Sequence, residues 1–169
     1  MFRDQTLLPA EAVRLAALGL LAEGPRRYGD LATEIRHFIA LAVGPSLDLM
    51  GSSIELLRHE GLAKAEGDLL RLSAAGAAAL RKLLEAPLRA PSNDASRLVL
   101  LLKLRFLHQL GAAEQAAQRR QIADSLSTEL ARLGELRRLH AGVAPALDDW
   151  LDRDIGDLHD RIEKFRTEL

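Results

Sequence analysis

The sequence predicts a mainly α-helical protein, with a small β-hairpin in its N-terminal half and a helical C-terminal region. Composition is the first observation: the 169 residues include 36 Leu and 27 Ala, but only 14 Val, Ile and Thr together. Leu and Ala favour helices, whereas β-branched residues favour strands. Apolar residues also recur at helical spacing over most of the chain. The exception is a short alternating segment around Gly67, which has the spacing of a hairpin.

Three helices are predicted ahead of the hairpin. Each has an apolar stripe at helical spacing, and each is followed by a glycine that ends it, at Gly24, Gly44 and Gly61. We expect Asp30 to cap the second helix. The predicted ranges are about 9–23, 30–43 and 46–60.

A change of periodicity follows the third helix. Residues 62–73 alternate between apolar and polar side chains around Gly67-Asp68, a two-residue connection typical of a hairpin. Ser73 is then expected to cap a fourth helix. Pro87 and Pro91 disfavour helix in the next stretch. The predicted organisation is a first domain over 1–86, a linker over 87–94 and a helical dimerisation domain over 95–169.

The C-terminal region is predicted to contain three helices. The last one carries large apolar residues from Leu151 to Leu169 at steps of four and three, the heptad pattern of helices that pack side by side. So short a region does not easily bury so many aliphatic side chains alone, so we expect a homodimer. A closed bundle within one chain is the alternative. The residues expected at the dimer interface are Leu98, Leu101, Leu102, Leu151, Ile155, Leu158, Ile162 and Phe165.

The sequence lacks the usual signatures of catalysis. It has no cysteine, and none of its five histidines has another histidine at metal-ligand spacing. Neither a phosphate-binding loop nor a nucleophile elbow is present. The prediction is therefore a non-enzyme without metal or cofactor. A hydrolase that uses the aspartates between Asp148 and Asp160 is a minor alternative. Negative charge at the start of a helix has a structural explanation, because it interacts favourably with the helix dipole.

Hydropathy and net charge limit the possible localisation and partners of the protein. No apolar stretch approaches the length of a membrane span, which is about 20 residues. The start of the chain does not resemble a signal peptide. A cytoplasmic protein without a membrane partner is expected. The net charge of −1 does not by itself indicate a nucleic-acid partner, although only the local surface decides this.

Three helices followed by a hairpin describe a winged helix-turn-helix. In that arrangement the third helix enters the major groove of DNA and the hairpin contacts the flanking backbone. Polar side chains of the third helix would contact base edges, and basic ones would contact phosphates. The expected DNA-binding residues are Arg26, Arg27, Tyr28, Ser46, Ser52, Ser53, Arg58, Lys64 and Arg71.

Residues 12–84 resemble the winged-helix domain of PadR-like transcriptional regulators, including their AphA-like branch. The similarity lies in LAALGLLAEGPRRYGDLATEI, SSIELLRHEGLAKAEG and LRLSAAGAAALRKLL, and the later segment LVLLLKLRFLHQL is also typical. The resemblance implies dimers formed by C-terminal helices and, more often than activation, repression. Many such proteins carry Ser-Ile-Tyr-Pro where Leu49-Met50-Gly51-Ser52 stands here, so Gly51 replaces a tyrosine of the DNA face.

Two functions follow as hypotheses. The first is a dimeric regulator that binds a near-palindromic site in double-stranded DNA, with a small-molecule effector or a second regulator as a further partner. The second is a winged-helix module for protein–protein interaction that does not bind DNA. The neutral charge balance and the loss of the tyrosine motivate the second hypothesis.

Overall fold

The computed structural model describes residue 1 and residues 3–44 and 53–167. Seven α-helices and three short strands lie in these ranges. The helices are α1 (Pro9–Glu23), α2 (Tyr28–Val43), α3 (Ser53–His59), α4 (Ala74–Glu85), α5 (Asp94–Phe106), α6 (Ala112–Leu139) and α7 (Pro145–Thr167). The strands are β1 (Arg26–Arg27), β2 (Ala63–Glu66) and β3 (Leu69–Leu72). The predicted order of helices, hairpin and helices is confirmed.

Local sequence signals explain several helix boundaries. Pro9 occupies the first turn of α1, where its missing N–H costs nothing. Ser73 caps α4 as predicted, because its Oγ accepts a hydrogen bond of 2.9 Å from the Gly76 amide. Asn93 caps α5 in the same way, through a bond of 3.0 Å from the Ser96 amide.

The sheet has one more strand than the sequence indicated. Strand β3 lies in the centre, with β1 and β2 antiparallel on either side. Strand β1 has only two residues, too few for any periodicity, so pattern reasoning missed it. Because β1 leads directly into α2 at Tyr28, Asp30 lies within the first helical turn. The prediction that Asp30 caps α2 is therefore wrong.

Helix α1 is the centre of the first apolar core. Leu15 and Leu18 are completely buried, and the helix is covered on nearly every side by α2, α3, α4 and α5. The side chains of Leu98, Leu102 and Phe106 on α5 also belong to this core. Helix α5 therefore packs on the helices that precede the proline-containing connection, while its Leu100 and Leu104 face the second core described next.

A second apolar core lies between α6 and α7, which form an antiparallel hairpin called the arm below. On α7, Leu151, Leu158 and Ile162 are buried, and Ile155 and Phe165 are partly buried in the same cluster. Their partners on α6 include Ile122, Ala123, Leu126 and Leu133.

The heptad pattern of α7 is thus filled by α6 of the same chain. The inference that the α7 residues need a second chain for burial is corrected, because the arm itself supplies the apolar surface. Leu98 and Leu102 are likewise buried in the first core. Leu101 is the exception, since it lies half-buried in an open groove between α5 and the arm.

Candidate nucleic-acid interface

Helix α3 is held with one face on the core and the other towards solvent. Ile54 and Leu57 are 2% and 0% exposed and anchor the helix below α1. Glu55, Arg58 and His59 lie on the opposite face and are exposed. The apolar spacing that predicted this helix therefore also decides which side chains it presents.

A cleft of about 660 Å³ separates α3 from the hairpin of β2 and β3, called the wing below. Tyr28, at the start of α2, lines it from one end and is 41% exposed. Arg58 and His59 line it from α3, and Asp68 lines it from the wing turn. The structure thus brings the predicted residues Tyr28 and Arg58 to one surface beside the wing.

The wing turn has the geometry that the sequence predicted. Gly67 has a φ of 62°, a left-handed conformation that glycine adopts at little cost. The register places Lys64 opposite Arg71 and Glu66 opposite Leu69. Lys64 and Arg71 therefore share one face of the wing with Glu66.

Two predicted cations, one on β1 and one on the wing, are paired with wing carboxylates. The Arg27 Nε donates to the Asp68 carboxylate at 2.7 Å, and both side chains are about two-thirds exposed. Arg71 forms an ion pair with Glu66 across the hairpin. Such exposed pairs stabilise little. They do, however, reduce the positive potential of the wing.

Arg58 and Lys64 differ from these arginines. Both are exposed, and neither has an ion-pair partner among residues 3–44 and 53–167. They are the predicted cations best placed for an external anion.

Arg26 is mainly a structural residue. Its Nε donates to Glu34 at 3.1 Å, and its guanidinium also lies 3.3 Å from the Glu23 carboxylate. Arg105 on α5 contacts the same two carboxylates. This network ties β1 to α1, α2 and α5, so the side chain of Arg26 is directed away from the cleft.

The remaining predicted DNA-binding residues lie at the edge of the described ranges or beyond it. Ser53 is the first described residue of α3. Ser46, Ser52 and Gly51 lie outside the described residues.

The sequence analysis did not predict the ion pairs of Arg27 and Arg71 with carboxylates. The Glu66–Arg71 pair could have been found, because the predicted turn at Gly67-Asp68 fixes a register in which the two residues are diagonal neighbours. The Arg27–Asp68 pair could not, since it depends on the unpredicted strand β1.

The aspartates of α7 do not form a metal centre in this structure. Arg137 on α6 contacts Asp148 at 3.1 Å and Asp152 at 2.8 Å. Its hydrogen bond lowers the pKa of the Asp152 carboxyl. Within the described ranges, no group of three or more acidic or histidine side chains is arranged to hold a metal ion. The arrangement gives the hydrolase alternative no support.

Length and apolar character together decide whether a helix can cross a bilayer. No helix in the described part of the chain is both long enough and apolar enough to do so.

Comparison with known proteins identifies the family. The family model described as "Putative AphA-like transcriptional regulator" matches residues 2–168. Among solved structures, the crystal structure of Bacillus subtilis PadR is similar, with 17% sequence identity, a TM-score of 0.44, and 96% of this chain and 95% of that chain covered. A search of curated proteins returned no match. Because the family model spans nearly the whole sequence, the chain belongs to the AphA-like family of transcriptional regulators.

Proposed function

We propose that this protein is a homodimeric DNA-binding repressor that binds a near-palindromic operator through α3 and the wing. The observation that carries the proposal is the surface around the cleft. There α3 is anchored by its apolar face, and its exposed Arg58 lines the cleft. Lys64 is exposed on the wing, and neither cation has a described carboxylate partner. The family, whose members are described as transcriptional regulators, supports it.

Each part of this surface has a distinct role in the proposal. Helix α3 enters the major groove. We keep the prediction that Ser46, Ser52 and Ser53 contact base edges. Arg58 and Lys64 bind phosphates and fix the position of the helix. On binding, Arg27 and Arg71 exchange their carboxylate partners for phosphate oxygens. The internal ion pairs therefore make DNA binding weaker than the number of basic residues suggests.

The homodimer is supported by exposed apolar side chains at the far end of the arm. Leu139, Val143 and Trp150 are 62%, 77% and 60% exposed around the turn between α6 and α7. Exposed apolar clusters of this kind mark interaction sites. Two arms that meet through this end would relate two copies of α3 by a two-fold axis, which matches a near-palindromic operator. An effector that changes the position of the arm would change the spacing of the two helices.

A protein-interaction module without DNA binding is the second candidate function. The pairing of Arg27 and Arg71 with wing carboxylates favours it, because both arginines then have less charge to offer to a phosphate. The two candidates differ in the salt dependence of binding. Phosphate contacts release counterions and give a steep dependence, whereas a protein partner gives a shallow one.

The test is a titration of fluorescent duplex DNA, selected from random sequences, at several salt concentrations. The double variant Arg58→Ala/Lys64→Ala should bind roughly tenfold or more weakly, and the salt slope should fall by about 0.9 for every phosphate that the variant no longer binds. Lys164→Ala, which removes an exposed cation from α7, is the matched control and should leave both quantities unchanged. An unchanged slope in the double variant would contradict the proposed phosphate contacts.

A further inference from the structure

The C-terminal end of α4 is bound by a buried lysine from another helix. Lys103 on α5 is 1% exposed, and its Nζ donates to the backbone carbonyls of Leu84 and Ala86, both at 2.5 Å. A third bond of 3.1 Å goes to the Gln118 Oε1 on α6. A single side chain thus connects the last turn of α4, the last turn of α5 and the first half of α6.

Other polar side chains of α6 continue this connection. The Gln118 Nε2 donates to the carbonyl of Glu85 at 3.2 Å, and the Ser125 Oγ donates to the carbonyl of Arg89 at 2.8 Å. The carbonyls that α4 and the next residues leave unsatisfied are therefore bound by α5 and α6. We call this set of residues the joint, because it lies where the winged helix meets the arm.

The joint matches the charged form of Lys103. An ammonium group has three N–H donors, and three acceptor oxygens surround the Nζ. The negative end of the α4 dipole also favours a cation there. Burial opposes the charge and lowers the pKa of Lys103 to about 7, although the Glu85 carboxylate raises it in part. The three acceptor oxygens therefore favour the protonated amine, whereas desolvation favours loss of the proton.

The other charged groups around the joint lie towards solvent. Arg81 on α4 is 3.4 Å from the Glu85 carboxylate, and it also forms an ion pair with Glu114 on α6. In the connection after α4, Arg89 is 2.8 Å from the carboxylate of Asp4.

We propose that the ammonium group of Lys103 fixes the angle between the winged helix and the arm, and that loss of its proton loosens this joint. A neutral amine has two N–H donors and a lone pair, so one of the three oxygens loses its donor. Gln118 makes the longest of the three bonds, and it is the acceptor that is released. Helix α6 then has one bond fewer to the winged helix.

The consequence for DNA binding rests on the proposed function. If the arm forms the dimer, its angle to the winged helix sets the distance between the two α3 helices. A loosened joint then widens the range of distances, and the cost of fixing one distance lowers the affinity for an operator of defined spacing. DNA binding should therefore weaken as pH rises through neutrality. Lys103 acts in this as a positioning residue.

The absence of cysteine from the sequence allows a direct test by spin labelling. Leu41→Cys on α2 and His159→Cys on α7 place labels on exposed positions of the winged helix and the arm. Labelled protein is diluted with unlabelled protein, so that the measured distances lie within one chain. We expect a narrow distance distribution at pH 6 and a wider one at pH 8.5. A distribution that is the same at both pH values would overturn the proposal.

Substitutions at the joint distinguish the effect of the charge on Lys103 from the effect of its packing. Lys103→Arg keeps a charge at both pH values and should give narrow distributions at both, whereas Lys103→Met should give wide distributions at both. Gln118→Leu removes the third acceptor and should abolish the pH dependence with the lysine still in place. It keeps the test decisive if Lys103→Arg does not fold. Lys82→Met, on the exposed side of α4, is the control and should behave as the wild type. Equal behaviour of the Arg and Met variants at position 103 would contradict the proposal.

Titration of duplex DNA from pH 6 to 8.5 forms the second arm of the experiment. Affinity should fall several-fold in the wild type and stay constant in Lys103→Arg. If no duplex is bound at any pH, the proposed function fails while the spin labels still decide on the joint. If DNA is bound with the same pH profile in both proteins, the joint proposal fails and the proposed function stands.

Discussion

At the scale of single residues, the wing is a surface whose charges partly cancel. Asp68 and Glu66 each bind an arginine that contacts a phosphate in the proposed complex. In that complex, DNA binding must break these contacts and bring two carboxylates close to the phosphate backbone. The carboxylates therefore oppose binding twice, by occupying the arginines and by repelling the DNA.

Neutral replacements of these carboxylates should increase DNA affinity. We expect Asp68→Asn and Glu66→Gln to tighten binding by about three- to tenfold each and to steepen the salt dependence by about 0.9 per arginine released. Fluorescence anisotropy with labelled duplex over a range of salt concentrations measures both quantities. Asp160→Asn on the exposed face of α7 is the control. Weaker binding by the wing variants would show that Arg27 and Arg71 need their carboxylates for orientation.

Lys103 makes a separate prediction about stability. In the unfolded chain its pKa is near 10.5, whereas in the folded protein it is about 7. Between these values unfolding takes up a proton, so the free energy of unfolding rises with pH. The free energy of unfolding of the wild type minus that of Lys103→Met should therefore rise by about 1.4 kcal/mol per pH unit above pH 7. Urea unfolding at pH 7, 8 and 9 measures it. A constant difference would show that Lys103 does not titrate in this range.

At the scale of elements, a close contact joins α1 to α5. The Phe106 ring lies against Gly19, where an added Cβ would approach it to 2.6 Å. The two helices pack this closely because Gly19 has no side chain. Helix α5 is thereby part of the first core rather than a separate unit.

Gly19→Ala tests this contact. The methyl group would force the ring or the helix to move, so we expect a loss of about 1–3 kcal/mol in the free energy of unfolding. Gly134→Ala on α6 is the matched control, because an added Cβ there meets open space. It should stabilise the protein by up to about 1 kcal/mol through helix propensity. Thermal and urea unfolding compare the two variants, and equal effects would argue against a tight α1–α5 contact.

How far the sequence determines these elements depends on the range of the interactions that form them. Helices were predictable because their stripes and caps, such as Ser73, are local. Strand β1 was not, since so short a strand carries no period and its partner β3 follows only after α2, α3 and β2. The exposed face of α3 followed from the buried positions of Ile54 and Leu57. The pairing of Arg27 with Asp68 did not, because it depends on that same long-range strand contact.

The same limit explains the interpretation of α7. Its heptad pattern correctly indicated a helix with an apolar partner, but a pattern does not say which chain supplies that partner. Here α6 does, through residues such as Ile122 and Leu133. The polar joint around Lys103 was also beyond the sequence. A lysine within an apolar helix can be recognised as buried only when the carbonyl groups that accept its hydrogen bonds have been located.

At the scale of the whole molecule, the proposed binding to a near-palindromic site requires two copies of the chain. Trp150 is 60% exposed at the far end of the arm, and we place it in the contact between copies. Trp150→Glu should convert the dimer to a monomer without unfolding it, because the side chain contributes little to the core. Sedimentation velocity gives the mass of the species, and circular dichroism checks the fold. Leu41→Glu, on α2 and 90% exposed, is the control. A dimer that survives the Trp150 substitution would place the contact elsewhere.

The proposed function is above all that a pair of α3 helices recognises DNA of a particular sequence. Selection of bound duplexes from a random pool, followed by sequencing, tests it most directly. We expect an enriched motif of two inverted half-sites about one helical turn apart, which disappears with Arg58→Ala/Lys64→Ala. A pool that stays random after repeated selection, with the protein folded and dimeric, would contradict it.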